Sequence, residues 1–202
     1  MLAEILPPHS IMVDDELRMF RESAERFFTR AAPPERTEKW RADKRVEREF
    51  WREVGEAGFL GLPFPEEYGG PGLDYRYEVA LMELVSRMGL GFPYSGQDPV
   101  ICRYVLSHGT EEQKLRWLPR MAKGDLVAAI AMSEPGAGSD LQSIRTTARR
   151  DGDEYVINGA KMFISNGQIA DWILVACKTD AEARARGISL IAVETELVQG
   201  FR

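Results

Sequence analysis

Cysteine and histidine are scarce in this chain, at two residues each among 202. Cys102 and Cys177 lie far apart with no CxxC partner. That excludes a disulfide framework or a thiolate metal site and fits a reducing compartment. His9 and His108 have no partner at metal-ligand spacing, so no metal centre is expected. A basic excess is missing too: 26 Lys and Arg stand against 32 Asp and Glu, a net charge of −6. A dedicated nucleic-acid binder carries the opposite balance. No apolar run approaches the ~18 residues of a membrane span. The N-terminal MLAEILPPHSIMVDDE is too short and too acidic for a signal peptide. These absences predict a soluble, cytoplasmic protein with no nucleic-acid and no membrane partner. What is there is apolar enough to fold, at 44% hydrophobic residues, and long enough for one or two domains.

The front of the chain has helical periodicity. From Asp14 to Arg30, apolar residues fall at Leu17, Phe20, Ala24, Phe27 and Phe28, with Asp14 and Asp15 as cap candidates and Pro33-Pro34 as a stop. Val46–Ala57 repeats the pattern through Phe50, Trp51 and Val54. Between these, the mixed charges of Glu35–Glu49 read as a solvated helix face. Gly61–Asp74 is a loop by its Pro and Gly content. Asp74 opens a helix through Val79, Met82, Val85 and Met88. A further helix is expected over Val100–His108, where His108 suits the negative end of the dipole. Thr110 and Gln113 match a capping box at the start of a last helix, which closes near Gly124.

After Gly124 the period changes to that of strands. Leu126–Met132 is a short buried run. The next strand pair flanks Asp151-Gly152, and residues 160–165 (AKMFIS) read as a strand between Asn158-Gly159 and Asn166-Gly167. Asp-Gly and Asn-Gly supply the positive φ of tight hairpin turns. DWILVAC and GISLIAVE complete the set. The organisation is therefore helices first and strands second, in a helical domain over 1–124 and a β domain over 125–202.

One stretch stands out, AIAMSEPGAGSDL (Ala129–Leu141), where an apolar run ends in a Gly-rich polar knot. A phosphate loop needs Gly-Lys-Ser/Thr before a helix, and Gly138-Ser139-Asp140 has no lysine. A dinucleotide fingerprint needs glycine where Leu141 stands, and the segments that follow are strands. No helix N-terminus is offered to a phosphate. On pattern alone, a plain strand-to-strand loop fits the knot at least as well as a binding site.

The wider set of motifs resembles the acyl-CoA dehydrogenase family: IAMSEPGAGSD, then DGDEYVINGAKMFISNG, then DWILVACKTD, with GLPFPEEYGG and HGTEEQKLRWLPRMAKGD in the helical part. FISNG and GISLIAVE look closest to the long-chain branch. The resemblance implies an α+β fold: an N-terminal all-helical domain, then an antiparallel, β-barrel-like domain. The family's C-terminal helical domain is missing here. It also implies FAD as cofactor and α,β-dehydrogenation of a fatty acyl-CoA, with the β-hydrogen passing as hydride to flavin N5. A flavin wants backbone amides and small hydroxyls at its rim and apolar groups on its faces. By the resemblance, Ile130, Met132 and Ser133 line one edge, and Gly136 and Gly138 admit a close backbone approach. Ser139 sits near the pyrophosphate and the acyl-CoA arm. Phe163 packs on the ring, Ile164 follows it against the ring, and Ser165 hydrogen-bonds the N5 region.

Other family properties carry over as expectations. The acyl tail is expected along Phe92–Ile101 and the helix through Met82. Partners are the acyl-CoA, an electron-accepting flavoprotein, and further copies in a homo-oligomer, a tetramer or dimer. The family's catalytic glutamate lies in the later helical domain, beyond Arg202. No residue here matches it, and Glu134 reads as the structural glutamate of the Ser/Thr-Glu-Pro motif. The chain is thus expected to be the truncated front half of a dehydrogenase, inactive alone. An acyl-CoA oxidase or flavin monooxygenase of the same fold, or a non-catalytic binding or scaffold module, is the alternative.

Overall fold

A computed structural model describes residues 14–201; His9 and most of the acidic N-terminal stretch lie outside them. The chain forms two compact units that divide after Asp125. The first is helical. In α1 (Asp15–Ala31) the Asp14 side chain accepts the Leu17 N–H at 2.7 Å, and Leu17, Ala24 and Phe28 are buried. Pro33-Pro34 ends α1 and also starts α2 (Pro34–Asp43), with Pro34 at the first helical position, where its missing N–H costs nothing. The charged stretch expected to be solvated is partly buried. Thr37 and Trp40 of α2 face inward, and Arg36 forks to Glu47 at 2.5 Å and to Glu53 at 2.8 Å over the ring of Phe50. The helix α3 (Arg48–Glu56) buries Phe50, Trp51 and Val54.

Asp74 caps α4 (Tyr75–Arg87) by accepting the Arg76 N–H at 2.9 Å. The next helix, α5, starts earlier than its sequence suggests. It runs as Tyr94–Gly96, a π-turn at Gln97–Cys102, then Arg103–His108. Pro99 lies inside the π-turn. A proline has no N–H to give and clashes with the preceding turn, and an inserted residue is one way for a helix to pass it. The capping box of α6 (Glu111–Ala122) forms as expected: Gln113 N–H donates to the Thr110 hydroxyl at 3.3 Å, and Thr110 N–H to the Gln113 amide oxygen at 2.9 Å. An aromatic cluster forms the core, with Phe92 4.5 Å from Trp51 and 5.0 Å from Phe50 between ring centroids. Gly124 closes the unit at φ +70, where a Cβ would meet the Trp51 carbonyl oxygen at 2.0 Å.

The second unit is a five-stranded sheet of β1 (Ala128–Ala131), β2 (Thr147–Asp151), β3 (Glu154–Asn158), β4 (Trp172–Lys178) and β5 (Ile188–Glu194). The α+β class is the expected one, but the sheet is mixed rather than all-antiparallel. β4 pairs antiparallel with β5 and parallel with β1, and a parallel bridge at Lys178 links it to the β2–β3 hairpin. That hairpin turns just past Asp151, at Gly152-Asp153, with Gly152 at φ +63. No hairpin forms at Asn158-Gly159, and residues 160–165 are not a strand. Gly159 is used for space instead: its Cβ would lie 2.2 Å from the Thr146 hydroxyl oxygen. The left-handed residues of this region are Phe163 (φ 58) and Asn166 (φ 65). Among the described residues no helix is long and apolar enough to cross a membrane, and no group of three or more His, Cys, Asp or Glu could hold a metal.

Candidate functional site

The knot begins where β1 ends. Its tip is a tight turn around Pro135-Gly136, closed by two backbone bonds between Glu134 and Ala137 at 2.8 and 3.1 Å. Ala137 anchors it from below, in a small core with Ile144 and Ala176 against which Met132 packs. Beyond it Asp140 accepts the Gln142 N–H and the Ser143 hydroxyl, which opens a short turn at Leu141–Ser143. Gly136 and Gly138 are not in left-handed conformations, and nothing lies within 4 Å of where their Cβ atoms would stand. The protein itself does not require glycine at either position. Ser139 is exposed just past Gly138.

Residues 161–171 run alongside β1. The Ala128 carbonyl accepts the Asn166 side-chain amide at 3.1 Å, and the Met132 carbonyl accepts the Lys161 ammonium at 2.9 Å. Alternate strand residues turn their polar backbone groups the same way. Ile130, midway between Ala128 and Met132, therefore directs its N–H and C=O toward the same segment. Next along, Met162 N–H donates to the Ser133 carbonyl at 2.9 Å. The knot and the Phe163–Ser165 segment, some thirty residues apart in sequence, are thus side by side.

Glu134 and Lys161 form the electrostatic centre of this junction. Their 2.9 Å ion pair is nearly closed to solvent, with 6% and 11% of the two side chains exposed. Burial opposes the Glu134 charge, but donors from Thr146, Arg145 and Lys161 outweigh it and hold the carboxyl at about 2. Its oxygens accept the Arg145 N–H at 2.6 Å and the Thr146 N–H at 3.0 Å. A carboxylate this fully engaged has a structural role, as its motif implies. Lys161 and the Asn166 amide escaped sequence reasoning. The signal for the lysine was present: a lone cation inside an apolar segment, AKMFIS, needs a buried carboxylate, and the knot supplies one.

The other expected residues divide by burial. Phe163 is 91% exposed and left-handed, an unusual state for a large aromatic. Ile164 packs onto Ala129, Ala131, Ala170 and Ile173, so its side chain serves the sheet's own core. Ser165 is exposed at the start of the turn that Asn166 and Gly167 close, not on a strand. The arrangement offers a presented apolar ring, a rim of backbone groups and hydroxyls, and two glycines with open space above them. Those residues fit a flat, polar-edged cofactor such as a flavin.

Comparison with known proteins agrees over nearly the whole chain. The description "acyl-CoA dehydrogenase, N-terminal domain" matches residues 14–125, and "acyl-CoA dehydrogenase, middle domain" matches 129–202. The long-chain specific acyl-CoA dehydrogenase of Sus scrofa mitochondria is 40% identical over 91% of this chain and 43% of its own length. An acyl-CoA dehydrogenase structure from Geobacillus kaustophilus superimposes with TM-score 0.82 at 44% identity, over 91% of this chain and 49% of that one. A Mycobacterium smegmatis glutaryl-CoA dehydrogenase in complex with FADH2 gives 0.79 at 32%, over 92% of this chain and 47% of that one. The chain spans less than half the length of the curated relatives it matches. By both of its domains, the chain belongs to the acyl-CoA dehydrogenase family.

Proposed function

We propose that the protein carrying this chain is an FAD-dependent dehydrogenase that introduces an α,β double bond into a fatty acyl-CoA. The observation that carries the reading is the left-handed, exposed Phe163 set beside the Met132–Ser133 rim by the Met162–Ser133 bond. FAD bound there supplies the two-electron acceptor for the β-hydrogen. Ile130, Met132 and Ser133 hold its polar edge, and Phe163 covers one face. The Ser165 hydroxyl donates toward the atom that receives charge, a term worth most when the donor is fixed beforehand. Ser139, with open space at Gly138, faces the pyrophosphate and the acyl-CoA arm. The carboxylate that takes the α-proton is placed outside these residues.

The rest of the reading follows the family. Of the segment expected along the acyl tail, Phe92, Tyr94, Gln97, Asp98 and Ile101 are buried inside the helical unit. Contact with substrate falls to exposed Ser95 and Val100 and half-buried Met82. Electrons leave to a flavoprotein acceptor, and the working form is a homo-oligomer. Two free, buried thiols suit a reducing compartment such as the cytoplasm. Residues 1–202 alone are expected to bind FAD weakly or not at all and to carry out no dehydrogenation, since Ser139 and a few amides are a thin supply of donors for a pyrophosphate.

The test is anaerobic addition of acyl-CoA thioesters of several chain lengths to the purified, flavin-loaded protein. Bleaching of the flavin absorbance with formation of the enoyl product is expected. Oxygen consumption in place of transfer to a flavoprotein would move the reading to an acyl-CoA oxidase or flavin monooxygenase. A protein that never takes up flavin would leave only a binding or scaffold module.

A further inference from the structure

We propose that Lys161 is a positioning residue of this site, which holds Phe163 presented and fixes which groups of Met132 and Ser133 are left for a ligand; the ligand's identity as a flavin rests on the reading above. One ammonium ties together three separate pieces of chain. It donates to the Met132 carbonyl at the end of β1 and to Glu134 in the knot, each at 2.9 Å. Through Glu134 it reaches the N–H groups of Arg145 and Thr146 at the approach to β2.

The segment that carries Phe163 starts at Lys161 itself. A left-handed non-glycine residue persists only where its surroundings over-determine it. Phe163 has an anchor on each side: Lys161 two residues before it and the Asn166 amide on Ala128 three residues after. With 91% of its surface exposed, Phe163 has little packing of its own to hold it there. The same bonds engage two acceptors, each through one of its two lone pairs. The Met132 carbonyl goes to Lys161 and the Ser133 carbonyl to Met162 N–H. What those residues chiefly keep for a ligand is their N–H groups and the Ser133 hydroxyl, so this stretch of rim recognises an acceptor edge. Removing Lys161 alone would leave the Glu134 carboxylate, only 6% exposed, without its ion-pair partner, so the two residues are varied as a unit.

The experiment uses Lys161→Met and the double variant Lys161→Met/Glu134→Gln. The double variant removes the buried carboxylate that the single one leaves without its partner. In the ligand-free protein, Lys161→Met should speed exchange of the Met162 amide at least tenfold while the β4–β5 amides stay protected. FAD should bind at least tenfold more weakly. The double variant should regain thermal stability but not FAD affinity, because neutralising the charge does not rebuild the tie to Met132. Lys161→Arg should restore part of the affinity. Unchanged Met162 protection in Lys161→Met would overturn the proposal. So would FAD affinity that returns together with stability in the double variant, since the pair would then only support the fold. FAD affinities are compared in the whole protein that carries this chain; should that protein, unaltered, bind no FAD, the flavin reading fails, and the exchange measurement still decides the role of Lys161.

Discussion

The Asp98 carboxylate accepts the Gly61 N–H at 2.5 Å deep inside the helical unit, with no exposed surface of its own. Burial is the main cause that lifts this carboxyl from its ordinary value near 4 to about 7, helped by the Glu78 charge and opposed by the bond from Gly61. A carboxyl raised in the folded state takes up a proton that the unfolded chain has already lost. Its stability contribution is full below its ordinary value and is lost as pH rises to about 7. The whole swing is roughly 4 kcal/mol. Asp98→Asn, which keeps an acceptor for Gly61, should flatten that fall. Urea midpoints at pH 4.5 and 7.5 check this: the gap between the two proteins should widen toward pH 7.5, and parallel pH curves would refute it.

Ser165 is exposed and fills no part of the core. Ser165→Ala should therefore leave the melting temperature unchanged. It should slow flavin reduction by acyl-CoA roughly 10- to 100-fold, the range for losing one hydrogen bond to a group that gains charge. Stopped-flow bleaching is the measurement. An unchanged rate would remove Ser165 from the site.

Phe163 combines a φ of 58 with almost complete exposure. The left-handed state costs an ordinary residue about 1–2 kcal/mol, and glycine carries no such penalty. Phe163→Gly should thus stabilise the ligand-free chain, less glycine's own entropy in the unfolded state, while FAD binds more weakly. Calorimetry with and without FAD separates the two effects. Loss of stability in the ligand-free protein would show that Phe163 packs on something within the fold.

Two glycines near the site should respond in opposite ways. A Cβ at Gly159 would fall 2.2 Å from the Thr146 hydroxyl oxygen, whereas one at Gly138 would meet nothing within 4 Å. Gly159→Ala is expected to cost about 1–3 kcal/mol, the usual range for overpacking. Gly138→Ala should leave unfolding within ~0.5 kcal/mol of the original but impair FAD uptake. A chemical denaturation series with a flavin titration tests both. Equal flavin affinity in Gly138→Ala would mean that the open space there is not used by the cofactor.

The sequence carried the regular elements plainly because their signals are local. Apolar spacing and the Asp14, Asp74 and Thr110 caps marked three helix starts, and Asp151-Gly152 marked the β2–β3 hairpin. It failed where a residue's role depends on a distant partner. Asn158-Gly159 has the composition of a turn, yet Gly159 is small because Thr146 packs against it. Residues 160–165 look like a strand, but Lys161 leaves that path to reach Met132 and Glu134. The helix expected from Val100 starts at Tyr94, because Pro99 is accommodated within a π-turn. At the site, the two segments were legible separately. The bonds that join them were not, since nothing local links Met162 to Ser133.

The parallel pairing of β1 with β4 bears on the order in which the chain assembles. The hairpin β2–β3 and the pair β4–β5 join neighbours in sequence, whereas the Val127–Asp171 bond at the head of β1 spans 44 residues. Contacts between distant residues form late, because the intervening chain must be ordered first. β1 is also short, at four residues, and sits at one end of the strand order. It should dock onto a β4–β5 ribbon that already exists. Pulse-labelled hydrogen exchange during refolding should then protect the amides of 188–194 before those of 128–131, and the reverse order would refute it. The knot continues directly from β1, so a nascent or refolding chain has no competent binding edge until this last strand is seated.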